Sequence, residues 1–119
     1  MHSPTAEQRR YPRFPVQEPV RLQFEGDIAS VAGCLVNLSV GGAFVRCSTP
    51  VEVGRALKVA FLLIHQGSRE VVLCQGRVCW VVSPELRRTV GPGFGVGFTE
   101  IQPETLSLLK MVSNDLLTC

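Results

Sequence analysis

Apolar and polar residues alternate along most of this chain with a period of two, the pattern of strands that bury one face. Val20, Leu22 and Phe24 interleave with Arg21, Gln23 and Glu25, and Gly26-Asp27 ends that segment in a turn. A second strand is predicted from about Ser30 to Asn37, with Val36 and Leu38 on the face opposite Asn37 and Ser39. Gly41-Gly42 interrupts it, Ala43 to Cys47 resumes as a third strand, and Ser48-Thr49-Pro50 with Gly54 marks the next connection. Arg55 to Ile64 is apolar enough to be buried on both faces for part of its length. His65-Gln66-Gly67-Ser68 reads as a hairpin loop and Arg69 to Val82 as the longest strand. There Val72, Cys74, Val78, Trp80 and Val82 share a face, and Gly76 marks a bulge or bend. After a loop from Ser83 to Gly93, Phe94, Val96 and Phe98 alternate with Gly95 and Gly97. That last strand has one bare side, open to a close neighbour.

The period then changes. Pro103 suits the first position of a helix and Glu104 suits its first turn. Leu106, Leu109, Val112 and Leu116 follow at helical spacing and form one apolar stripe. Six short strands and one terminal helix predict an all-β fold, a six-stranded antiparallel β-barrel with a C-terminal helix, because closure removes exposed strand edges. Residues 1–17 stand apart: Pro4, Pro12 and Pro15 with three arginines show no periodicity and read as a flexible N-terminal arm. Residues 18–119 form the barrel and its helix.

Composition narrows the function. At 119 residues the chain has room for one core, and 45% hydrophobic against 18% charged residues fits a folded globule. Neither a membrane-spanning run nor a secretory leader is apparent, so a cytoplasmic location is expected. Five cysteines, an odd number with no CxxC, argue against a disulfide framework and against a zinc site. Cys34, Cys47 and Cys74 fall in apolar segments, where a free thiol packs as a small hydrophobe. A net charge of +2 is too small for a general nucleic-acid binder, so neither DNA nor RNA is expected as a partner. The cations are lopsided, however: of 12, only Lys58 and Lys110 are lysines. Arginine is the better fork for phosphates and for guanine edges.

Two polar clusters interrupt the barrel pattern. Arg9 and Arg13 are four apart with Pro12 between them, so the arm can curl two guanidiniums round an object instead of forming a regular helix. Such forks bind phosphate oxygens bidentately, address the O6/N7 edge of guanine and stack on bases. In Asn37-Leu38-Ser39-Val40-Gly41-Gly42, an amide and a hydroxyl two residues apart in an extended segment point to one side and can pair with a base edge. Gly42 leaves space where a ring or a backbone must pass.

Arg9-x-x-x-Arg13 followed by Asn37-x-Ser39-x-x-Gly42 resembles the signature of PilZ domains, bacterial receptors for cyclic di-GMP. That signature reads RxxxR and then (D/N)xSxxG across the first hairpin. The resemblance extends over nearly the whole chain, including the Gly93 to Phe98 closing strand and the terminal helix. It implies a six-stranded barrel that carries the dinucleotide on its outer surface. Arg9 and Arg13 would clamp phosphates and guanine, Arg10 would add charge, and Asn37, Ser39, Gly41 and Gly42 would hold a base edge. It further implies an arm that orders on binding and presents a changed surface to a downstream protein. No cofactor is implied beyond the ligand itself.

Other classes fit less well. An enzyme lacks its constellation: the histidines are His2 and His65, the aspartates Asp27 and Asp115, and no G-x-S-x-G, HExxH or P-loop pattern occurs. A single-stranded nucleic-acid binder needs aromatic platforms on a basic face. Aromatics are 7% of the chain, with Phe24, Phe94 and Phe98 on inward faces and Tyr11 alone clearly outside. The remaining alternative is a PilZ-like protein-interaction module that does not bind nucleotide.

Overall fold

The computed structural model describes residues 14–118, without the side chains of His65 and of residues 112–118. Arg9, Arg10 and Arg13 therefore lie outside the described residues, as does most of the expected arm. The chain runs β1 (Phe14–Phe24), β2 (Val31–Leu38), β3 (Gly42–Arg46), β4 (Ala56–His65), β5 (Ser68–Val81), α1 (Arg87–Val90), β6 (Gly93–Ile101) and α2 (Pro103–Thr118). The strands close into a barrel in the order β1-β2-β3-β6-β5-β4, and each neighbouring pair is antiparallel. The six-stranded barrel with its C-terminal helix is thus the observed fold.

Alternation determines what fills the barrel. Val20, Leu22 and Phe24 from β1 meet Val59, Phe61 and Leu63 from β4 and Val72, Cys74 and Val78 from β5 in one core. Phe94 of β6 packs tilted on Phe24, with ring centroids 6.1 Å apart. Leu109 of α2 is fully buried in the same cluster, so the helix belongs to the core through that residue. Arg55 lies over the Phe24 ring at 5.0 Å and pairs with Asp27 at 2.9 Å. Both charges are partly exposed, so that ion pair contributes at most about 1 kcal/mol. Burial pushes the Cys74 thiol up to about 11, which keeps it neutral and inert. Among the described residues no helix is long and apolar enough to cross a membrane.

Four local readings differ from the pattern-based expectation. β1 already starts at Phe14, where Phe14 and Pro15 pair with Leu38 and Asn37, so residues 14–17 are strand. A bulge between Leu35 and Asn37 turns Leu35, not Val36, into the core beside Leu38. The Ser83–Gly93 loop contains the single turn α1. Most consequential is β5. Besides the irregularity at Gln75/Gly76, where Gly76 was expected to bend the strand, a second bulge lies between Val78 and Trp80. It moves Trp80 off the inward face that an unbroken alternation assigns to it.

Candidate functional site

The polar cluster between β2 and β3 is built around a tight turn. The Ser39 N–H donates to the Gly42 carbonyl at 2.8 Å, and the Ser39 hydroxyl oxygen accepts from the Gly41 and Gly42 N–H groups, each at 3.2 Å. Ser39 is 4% exposed, the buried polar residue of the described core. Its hydroxyl is therefore engaged with its own turn, as serine hydroxyls in turns commonly are. Ser39 lies just beyond the end of β2, opposite Gly42, in continuation of the Asn37–Phe44 and Leu38–Ala43 pairs. Asn37 remains on the strand, half-buried. Gly41 is exposed, and its carbonyl accepts from the Phe98 N–H at 3.0 Å. Gly42 pairs with Gly97, and a Cβ there would run into the Val96 carbonyl oxygen. The bare position admits a backbone, not a ring.

Register places Asn37 in a row that crosses the outer wall of the barrel. Pro15 of β1 pairs with Asn37 of β2, Asn37 with Phe44 of β3, Phe44 with Gly95 of β6, and Gly95 with Trp80 of β5. Residues directly opposite in antiparallel strands share a face. The neighbours Ala43, Val45 and Phe94 all point into the core, so this row points out. Phe44 and Trp80 stack across the gap left by Gly95, with centroids 5.3 Å apart and planes at 14°. A Cβ on Gly95 would strike the Trp80 indole, and one on Gly97 would lie 2.7 Å from the Cys79 sulfur. The bare glycine side of β6 thus has specific occupants. Because two successive β5 residues face outward at the bulge, Cys79 and Trp80 both lie over it.

Sequence reasoning missed Phe44 and Trp80 as outer-wall residues. The available signal was the Gly93-x-Gly95-x-Gly97 spacing, which asks for flat side chains from the neighbouring strands. Arg46 flanks the row, exposed, in the next outward position of β3. The wall therefore offers a carboxamide, a turn with fixed backbone groups, a stacked aromatic pair and two flanking cations, Arg46 and, opposite Gly97, Arg77. Among the described residues no group of three or more His, Cys, Asp or Glu side chains could hold a metal ion.

Comparison with known proteins agrees with this architecture. The profile of the PilZ domain family matches residues 7–113. Among solved structures, the Bacillus subtilis inhibitor of motility MotI/DgrA superposes with a TM-score of 0.77 at 17% identity, over 97% of this chain and 56% of that one. The chain therefore spans little more than half of that protein. The PilZ domain of YcgR from Escherichia coli, solved with c-di-GMP, gives 0.68 at 15% identity and covers 93% of this chain and 92% of its own. PlzA from Borreliella burgdorferi, in complex with c-di-GMP, gives 0.57 at 18% identity over 87% of this chain and 40% of that one. At such identities the likeness carries the fold. A search of curated proteins found no sequence match.

Proposed function

The chain belongs to the PilZ domain family, and from that premise we propose that it is a receptor for cyclic di-GMP, binding the dinucleotide across the Asn37–Trp80 row. One observation carries the reading: Pro15 pairs with Asn37. Arg13 is two residues before Pro15, so chain connectivity keeps it within about 7 Å of that position, and Arg9 within about 20 Å. The arginine motif is thus joined by a short stretch of chain to the strand that pairs with Asn37. Such a ligand carries two phosphate charges and two guanines. Guanidiniums supply charge and planar stacking, and a rigid wall supplies direction.

In this reading Arg9 and Arg13 clamp phosphate and guanine, and Arg10 adds charge. Asn37 meets a base edge, and Gly41, exposed and without a side chain, lets the base come close. Ser39 and Gly42 hold the turn in shape. Trp80, seated on Phe44, provides a face for the second base. The protein is non-catalytic and works by ordering its arm, which changes the surface offered to a downstream protein. Cys34, Cys47, Cys74 and Cys79 are free thiols, in keeping with a reducing cytoplasm.

Calorimetric titration with cyclic di-GMP tests this. The expected result is saturable heat from the wild type, weakened in Arg13→Ala without change in circular dichroism. No heat at high micromolar ligand would leave the protein an interaction module of PilZ fold that does not bind nucleotide.

A further inference from the structure

The opposite wall of the barrel has a different character. β4 residues 62–64 and β5 residues 69–71 pair only with each other, whereas the lower parts of both strands are flanked by β1 and β6. This protruding ribbon is covered on one side, where Leu63 and Val72 are buried. On the other side Ala60 pairs with Leu73, Leu62 with Val71 and Ile64 with Arg69. Val71, Leu73 and Ile64 are 69%, 61% and 51% exposed. Scattered exposed aliphatics need no explanation, but a contiguous set on one face marks an interaction surface.

Charge identifies the occupant. Arg21 pairs with Ala60 from the β1 side, Lys58 occupies the next outward position of β4, and Arg69 lies opposite Ile64. All three are exposed, and among the described residues no carboxylate pairs with any of them. Glu100, opposite Gln75, and Glu25, bonded through its N–H to Ala56, are acids at the lower edge of this wall, away from Val71 and Ile64. Beside the aliphatic face an open groove of about 320 Å³ is lined by Arg21, Lys58, Ala60, Leu73, Gln75 and Glu100. It is large enough to seat an apolar anchor from a partner.

We infer that this β4–β5 face docks an acidic amphipathic protein segment, with apolar side chains on Leu62, Val71 and Leu73 and carboxylates against Arg21, Lys58 and Arg69. A second copy of the chain fits worse, because a symmetric contact sets the three cations against their own equivalents. An anionic membrane also fits worse: three cations are few for lipid attraction, and the face carries no Trp or Tyr anchor. The inference gives a location to the partner half of the proposed function and does not require the nucleotide. Leu73 and Trp80 are seven positions apart on β5, roughly 23 Å along the strand.

The test uses the full chain without cyclic di-GMP, so its failure is separable from failure of the nucleotide reading. Two synthetic helical peptides serve as probes, one with Leu on one face and Glu on the other, the second with Lys replacing Glu. In amide NMR titrations, the Glu peptide is expected to shift resonances of residues 58–64 and 69–75 saturably and to weaken as salt rises. The double variant Val71→Glu/Leu73→Glu, altered only at exposed positions, should lose roughly tenfold in affinity. Equal binding of the Lys peptide, shifts elsewhere on the barrel, or no saturable binding would overturn the inference. So would co-sedimentation with phosphatidylglycerol vesicles, or a dimer in analytical ultracentrifugation, that the double variant abolishes.

Discussion

The two ends of β5 belong to one continuous strand and have opposite surface chemistry. From Arg69 to Gln75 the alternation is regular, and its outward residues Val71 and Leu73 stand free in solvent beside cations. From Arg77 to Val81 the strand is bulged, and beyond Arg77 the outward residues Cys79 and Trp80 lie over bare glycines of β6. The difference lies in the neighbouring strand. β4 presents side chains at every position and keeps β5 regular, whereas Gly95 and Gly97 leave a trough into which β5 can lay a ring. One end of the strand is thereby committed to internal geometry that shapes a polar site, and the other stays available to a partner. Substitutions at the two ends should differ accordingly.

The largest effect is expected at the site end, where backbones touch. Gly42→Ala drives a Cβ into the Val96 carbonyl oxygen and should cost about 3 kcal/mol in urea unfolding, the scale of a clash that only backbone movement can relieve. A loss below the error of the measurement would mean that β3 and β6 do not approach so closely. Next is the neutral Cys74 thiol between the two ends. Its folded value of about 11 exceeds the ordinary thiol value of 9.0, so above pH 9 the unfolded chain releases a proton that the native protein retains. Stability is full below pH 9 and falls as pH rises towards 11, by roughly 2–3 kcal/mol. The Cys74→Ala variant should lack that part of the slope, and identical slopes would contradict the assignment.

Arg13→Ala follows, with cyclic di-GMP binding weakened by about 1–3 kcal/mol if its fork meets guanine bidentately. Arg9→Lys should also weaken binding, since an ammonium cannot replace a planar fork. Wild-type affinity in both variants would detach the arm from the site. Ser39→Ala removes the acceptor of two turn N–H groups and should lower stability by about 1 kcal/mol with the barrel intact. Smallest of all, Val71→Ala should change stability by no more than about 0.5 kcal/mol, because the side chain packs against nothing that folding buries. A larger loss there would erase the contrast between the two ends.

Much of this was readable in the residues. The six strands follow from the alternation of apolar positions, and the helix from the change of period at Pro103. The break in the strand pattern from Ser39 to Gly42 was recognisable from its residue types and spacing. What escaped were the bulges. Inserting one residue at Val78/Trp80 costs little in a twisted strand and leaves no mark in an apolar-polar pattern, yet it sends the following side chain to the other face. The same blindness hid the inward turn of Leu35 and the outward stacking of Phe44. Ser39 was legible as polar and important but not as the acceptor of its own turn, because pairing of a hydroxyl with a local backbone depends on where the strand ends.

Trp80 is the one tryptophan of the chain, so its emission reports on the proposed binding row alone. Titrating cyclic di-GMP into the wild-type protein should change that emission saturably, with the midpoint seen in calorimetry, and Arg13→Ala should shift the midpoint to higher ligand. Emission that stays constant while calorimetry records binding would place the nucleotide elsewhere and contradict the account.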